Sequence, residues 1–337
     1  MPIIEPPIHE VETAAFYCFQ QGGGDGQPLK DWLQAKRLVF MEKNYDIIAR
    51  HSLQNRATER LGNQGTRYCR YCRAIKPNAV EWEEAWALPE LVGNATIVAM
   101  DECPVCNAIF NSLEVDLGTM LQVTRAIGRI EGKKGILPFI ALNAGSRIDV
   151  MGDQSEMTER VDGPLSESDK KAETFATSDQ SVSFTPLAVY KSLTKMALAV
   201  MPPAYLPKFR HTIDWIRKKN HAVGAAEVAG SAKCRFIFQP GPMPPDYYHC
   251  TLLVRKSPDA LIPYMLFCLT MANQTFQIMV PQTPCDNHLV GQKFAMPEYP
   301  AYYGYGYKFG DPMGTTLDLA APDRVRIEIG DNGWVER

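Results

Sequence analysis

Apolar residues recur along this chain with two different periods, and the change between them divides it. From Leu29 to Leu61 one line runs through Leu29, Leu33, Lys36, Phe40 and Lys43, and another through Trp32, Leu38, Tyr45 and Ile48. Steps of three and four predict one or two amphipathic helices, ended by Gly62-Asn63-Gln64-Gly65. A longer stripe of Phe110, Leu113, Leu117, Met120, Leu121, Thr124 and Ile127 predicts a helix over 107–131. Pro186 suits a first helical turn, and Leu187, Tyr190, Leu193, Ala197 and Val200 predict the buried face of the helix that follows. After Met201-Pro202-Pro203, a shorter helix from Leu206 to Asn220 turns Phe209, Ile213 and Ile216 inward. It leaves Lys208, Arg210, His211, Arg217, Lys218 and Lys219 to solvent. From Cys234 onward the period shortens. The runs Cys234–Phe238, His249–Val254, Pro263–Thr270, Thr275–Val280 and Val325–Ile329, parted by Pro and Gly, predict an antiparallel sheet.

Other stretches carry weaker patterns. Residues 1–27 read as irregular, with four prolines by position 28 and the run Gly22-Gly23-Gly24-Asp25-Gly26. Residues 144–183 are rich in Ser, Asp and Glu and read as a mobile insertion or linker, with faint strand signals at Ser146–Met151 and Ser181–Phe184. The aromatic segment from Pro297 to Tyr307 is a loop that packs on itself or stacks nucleic-acid bases. The chain as a whole is predicted to be α+β. It divides into an N-terminal helical region at 1–66, a compact module at 67–135, a polar insertion or linker at 136–185, and a helical plus antiparallel β domain at 186–337.

Composition narrows the class. A hydrophobic share of 45% with 22% charged residues supports an ordinary packed core. The net charge of −3 argues against a uniformly basic coat, yet residues 27–76 hold eleven Lys or Arg against four Asp or Glu, a local +7. That asymmetry suits either one anion-facing surface or a solvated helix face. No run approaches 18 apolar residues, so no membrane span is expected, and the N-terminus lacks the basic flank and apolar core of a secretory signal. Cys18, Cys234, Cys250, Cys268 and Cys285 show no close pairing, as expected of free thiols in a reducing cytoplasm.

Two remaining cysteine pairs carry the chemistry. Cys69-Arg-Tyr-Cys72 and Cys103-Pro-Val-Cys106 each offer two soft sulfurs, and four thiolates close the tetrahedral shell of a structural Zn2+. The competing reading is two unrelated redox pairs. Single histidines are scattered, and no Gly-rich phosphate loop, Gly-x-Ser-x-Gly elbow or dinucleotide fingerprint is present.

Between the pairs lies Ala85-Trp86-Ala87-Leu88-Pro89-Glu90-Leu91-Val92-Gly93-Asn94, and after them Asn107, Phe110 and Glu114. This arrangement resembles the zinc-containing bacterial branch of the HNH endonuclease family over about residues 67–135. A weaker likeness covers Phe184 to Leu198, which looks like the segment downstream of the nuclease module in stand-alone members. The resemblance implies a treble-clef ββα unit stapled by the four-cysteine zinc, with Mg2+ or Mn2+ as a second, catalytic ion where the enzyme is active. In that family a strand histidine takes the proton from water. The matching residue here is Trp86, whose indole nitrogen donates and has no lone pair to accept with. No histidine occurs from Ala57 through Arg210, and losing a positioned base costs about 10²–10⁴ in rate.

Asn107 and Glu114 match positions associated with organising the site, and Glu83, Glu84 and Glu90 are carboxylates able to bind a hard metal. Arg70, Arg73, Arg125, Arg129, Lys133 and Lys134 are the expected phosphate contacts. The resemblance therefore implies a nucleic-acid partner, DNA above all, with hydrolysis lost or strongly impaired. A role in defence against phage would fit a stand-alone member. One alternative is an active nuclease using a carboxylate base. Another is a zinc-stapled scaffold for a protein partner or a second copy of the chain.

Overall fold

The computed structural model describes residues 3–22, 27–54, 57–62, 68–75, 82, 84–128, 130–132, 135–136, 139–140, 146–151, 154–159, 181–241, 247–292, 294, 296–300, 309–330 and 333–336. It is a mixed α+β chain with helices and antiparallel sheets. The first element corrects the sequence reading. Residues expected to be irregular form helix α1 (Ile8–Gln21), which starts after Pro7 and pairs with α2 (Pro28–Asn44) as a helical hairpin. Its buried face is made of small residues, Val11, Ala14, Ala15 and Cys18, set against Ala35, Val39 and Trp32. Phe16, Tyr17 and Phe19 face outward, which blurred the apolar stripe.

Helix α2 stops at Asn44, whose side-chain amide donates to the Phe40 and Ile4 carbonyls at 3.0 and 2.8 Å. The helical pattern read through to Leu61 is therefore wrong beyond that point. Strand β1 (Tyr45–Ser52) follows, then β2 (Glu59–Leu61). The β-branched pair Ile47-Ile48 suits a strand, and pairing with a distant partner overrides the local helical signal.

Strands β3 (Ala85–Trp86) and β4 (Ile97–Ala99) form a short antiparallel hairpin, with β2 parallel to β4. The 107–131 helix divides into α3 (Pro104–Met120) and α4 (Gln122–Ile127). Five short strands follow: β5 (Glu131–Gly132), β6 (Gly135–Ile136), β7 (Phe139–Ile140), β8 (Ser146–Met151) and β9 (Gln154–Glu159). The described part of the supposed linker thus contains a three-stranded sheet, β7-β8-β9. Strand β10 (Ser181–Phe184) leads into α5 (Pro186–Val200), opened by proline as expected. The predicted 206–220 helix is a 3-10 turn at Leu206–Phe209 followed by α6 (Arg210–Ile216), and a short α7 (Ala225–Val228) comes after it.

The expected sheet is present as β11 (Lys233–Phe238), β12 (His249–Arg255), β13 (Met265–Met271) and β14 (Gln274–Met279), with β15 (Met313–Asp318) added at one edge. Its order is β1-β12-β13-β14-β11-β15, every pair antiparallel. The N-terminal region therefore supplies an edge strand to the C-terminal sheet. Strand β16 (Val325–Gly330), expected in that sheet, pairs instead with β10 and with β17 (Gly333–Glu336).

One continuous apolar core runs from Leu53 through α3 and α5 to Leu319 and includes Cys69, Cys103 and Cys106. The cysteine module and the C-terminal sheet are packed together through α5, all fifteen residues of which are buried. Helix α3 sets Phe110, Leu113, Leu117 and Met120 into this core, each stabilising the fold by about 2 kcal/mol. Leu113→Ala would cost about 2–5 kcal/mol by opening a cavity there.

Candidate metal centre and the buried lysine beside it

The first cysteine pair sits in a tight turn. Ala74 O accepts from the Cys69 amide, Cys69 O accepts from the Arg73 amide, both at 2.9 Å, and Tyr68 bridges to Ile75. Arg73 adopts a positive φ of 62°, a conformation that costs a non-glycine residue about 1–2 kcal/mol. The second pair opens α3: Cys103 is the N-cap, Pro104 fixes the first turn, and the Cys106 amide donates to Cys103 Sγ at 3.4 Å. A helix N-terminus favours anions, and so favours thiolates there.

Between the pairs, Asn94 fastens the hairpin. Its Nδ2 donates to Leu88 O and Ile97 O at 2.7 and 2.9 Å, and its Oδ1 accepts from the Thr96 and Ile97 amides at 3.2 and 2.9 Å. Gly93, at φ 84°, makes the turn just before it.

These elements bring the four sulfurs within 4.8 Å of one another, with Cys72 and Cys103 Sγ at 3.5 Å. A tetrahedron of sulfurs about 2.3 Å from a central ion has an edge of roughly 3.8 Å, so the cluster has the dimensions of a metal site. Backbone N–H groups of Ala74 and Cys103 also point at Cys72 Sγ and Cys69 Sγ, at 3.4 Å each. A hydrogen bond from Cys106 and the backbone amides of Cys72, Cys103 and Tyr71 draw the Cys69 thiol down to about 5 against the effect of burial. Burial pushes Cys103 up to about 11, and its hydrogen bond to Cys69 pushes Cys106 up as well. Four sulfurs this close can share only limited negative charge among themselves, and a bound dication would release the remaining protons.

Around the cluster, Arg70 corrects an expectation. Its Nε donates to Asp101 Oδ1 at 2.7 Å and its Nη1 to the Leu198 and Ala199 carbonyls at 2.8 and 2.6 Å. Only 2% of the side chain is exposed, so it ties the first cysteine turn to α5 and has no surface to offer phosphate. Arg125 is half-buried; burial lowers its pKa, and its Nε has no hydrogen-bond partner. Arg73 is exposed. Arg129, Lys133, Lys134 and Glu83 lie outside the described residues.

The three residues taken as the catalytic group fall on two elements. Trp86 is on β3, half-buried, and Asn107 and Glu114 are on α3. Seven residues separate the latter two, which places them on one face but about 10 Å apart along the axis. Among the described residues no hydrogen bond joins these three side chains. Burial raises the Glu114 carboxyl to about 7, helped by Glu102 and Glu90 and opposed by the Lys195 ammonium. Glu84 is paired with Arg60 at 3.0 Å.

Lys195 is the residue that sequence reasoning missed. It belongs to α5, its side chain is 2% exposed, and its Nζ donates to Trp86 O at 2.9 Å and Ala87 O at 3.3 Å. Glu102 Oε2 lies 3.3 Å from the same nitrogen, longer than a charge-assisted hydrogen bond, and the Glu102 side chain has no exposure at all. Glu102 Oε1 and the Tyr71 hydroxyl are buried without a hydrogen-bond partner. The one signal in the sequence was that α5, reading Pro-Leu-Ala-Val-Tyr-Lys-Ser-Leu-Thr-Lys-Met-Ala-Leu-Ala-Val, is apolar on every side of its lysines.

No family model, curated protein or solved structure matches this chain.

Proposed function

We propose that this chain is a zinc-stapled, HNH-endonuclease-like protein that binds nucleic-acid backbone and has lost most or all phosphodiester hydrolysis. The observation that carries the reading is the order of parts around the sulfurs. A cysteine turn at 69–72, the β3–β4 hairpin and a helix opened by Cys103 and Cys106 follow one another, the layout of a treble clef. Four sulfurs at tetrahedral spacing suit Zn2+, and a module this small gains most from such a staple. The family's base position holds the Trp86 indole, which accepts no proton.

Binding would use the surface that remains charged. Arg73 and Arg210 line a cleft of about 310 Å3 between the first cysteine turn and α6. Lys208, His211, Lys218 and Lys219 are exposed on or beside that helix. Among the described residues no helix is long and apolar enough to cross a membrane.

A mobility-shift titration over salt tests this. With Arg73, Lys218 and Lys219 engaged, the slope of log affinity against log salt should be about −3 on duplex, falling by about 2 in Lys218→Glu/Lys219→Glu. Absent or salt-insensitive binding to both duplex and single strands would refute it. A second reading has its own observation, the Glu114 carboxyl held near 7, where a general base works at neutral pH. Under that reading plasmid is cut in Mg2+ or Mn2+ with a rate rising through about pH 7, and Glu114→Gln abolishes it.

A further inference from the structure

Lys195 sits where an isolated charge would be expensive. Removing an ammonium from water costs several kcal/mol unless its partners are well placed, and this one lies mid-helix inside the main core. Its surroundings are oxygens. The carbonyls of Trp86 and Ala87 accept from it at 2.9 and 3.3 Å, and the Glu102 carboxylate lies 3.3 Å away as an ion pair without a hydrogen bond, so three oxygens surround the ammonium. The Phe110 ring lies 5.8 Å from Nζ on a further side. Glu102 Oε1 remains buried and unbonded, and Glu114 is close enough to feel both Glu102 and Lys195.

Lys191, one turn earlier on α5, is an internal contrast. It is equally buried, but its Nζ donates to a single carbonyl, Lys218 O at 2.8 Å, and faces the Trp215 ring at 5.1 Å. Burying a lysine on this helix therefore does not by itself require an acidic, carbonyl-lined cradle.

We infer that the Lys195 ammonium is a tethered cation filling an oxygen-lined pocket built for a hard divalent ion, so that the chain closes this pocket to metal with its own side chain. The oxygen set, two backbone carbonyls with a carboxylate and a second carboxylate nearby, is that of Ca2+, Mg2+ or Mn2+ and not of the soft ion favoured by the four cysteines. Ligand oxygens lie about 2.0–2.6 Å from such ions, so oxygens now 2.9–3.3 Å from the ammonium must draw in by roughly 0.3–1.3 Å to hold one. This inference does not depend on nucleic-acid binding. It stands or falls on the pocket alone.

Manganese is the probe, because its unbound aquo ion gives a paramagnetic resonance signal that is lost on binding. Zinc-loaded full-length protein would be titrated as wild type, Lys195→Ala and Lys195→Ala/Glu102→Gln, with zinc content and circular dichroism recorded for each. Wild type should bind no Mn2+ at millimolar concentration. Lys195→Ala should bind one equivalent with a Kd at least about tenfold below the millimolar range in which wild type binds none, and show a higher thermal midpoint with Mn2+. The double variant should lose both effects.

Should Lys195→Ala be too unstable to purify, Lys195→Gln, which keeps a donor for the Trp86 carbonyl, is assayed the same way. The inference is overturned if a folded Lys195 variant ignores Mn2+, or if neither variant folds even with Mn2+ present. It is equally overturned if wild type already binds Mn2+ in a manner that Glu102→Gln abolishes. None of these results bears on the mobility-shift outcome, so the two readings fail separately.

Discussion

Cys103 and Glu102 are joined by one peptide bond, yet they serve opposite kinds of site. Cys103 faces three other sulfurs in a cluster whose negative charge, once formed, calls for a soft dication from outside. Glu102 faces oxygens and a lysine already supplied from inside the chain. The four-sulfur site stays incomplete until something binds. The oxygen site already holds a cation of the chain as folded, although neither Glu102 oxygen is hydrogen-bonded. In the small module the first cysteine turn and the start of α3 form a candidate external staple, and Trp86, Ala87 and Glu102 with Lys195 form an internal one. The second fastens it to α5 and hence to the C-terminal sheet.

Breaking each staple should therefore give a different signature, and the cysteine side should show the larger effect. Cys106→Ser removes a ligand at the start of α3, and metal-linked stability on the order of 5–10 kcal/mol should go with it. Metal content and chemical denaturation read this, and a chelator should reproduce it in wild type. Glu102→Gln leaves the Lys195 charge buried without its carboxylate and should cost about 3–5 kcal/mol while metal at the cysteines is retained. Adding Lys195→Met to Glu102→Gln should recover most of that loss, since an apolar pair of similar size carries no charge to desolvate.

Smaller effects sharpen the contrast. Asn94→Ala removes four hydrogen bonds that hold the β3–β4 hairpin and should cost about 2–3 kcal/mol in urea unfolding. Glu114 gives the smallest and most conditional signal. Its folded pKa of about 7 lies above the ordinary carboxyl value of 4.5. The stability it contributes is thus full below that ordinary value and is lost as pH rises through about 7. From about pH 4.5 to about pH 7 wild type should lose stability that Glu114→Gln does not, which paired urea titrations measure. Equal slopes would place Glu114 in solvent.

The sheet strands and the cysteine pairs were legible because their signals are local. Strands β11 to β14 are short apolar runs parted by turn residues, and a four-sulfur site is written in two three-residue spacings. Helix α5 could be placed from Pro186 and its apolar face, but its burial on every side could not, because that depends on what α3 and the sheet bring to it. Arg70 read as a phosphate contact for the same reason. A basic residue beside a cysteine turn looks exposed until Asp101 and the last turn of α5 are folded around it. Strand β1 was hidden because its partner lies some two hundred residues away. Helix α1 was hidden because alanines and a valine make its contact face while its aromatics face solvent.

The account rests on a single ion held by four thiolates at 69, 72, 103 and 106. X-ray absorption at the zinc edge of the purified full-length protein tests that most directly. One zinc per chain, with four sulfur neighbours at about 2.3 Å and no nitrogen or oxygen in the shell, is the expected spectrum. A protein without zinc, or a shell containing oxygen or nitrogen ligands, would contradict it.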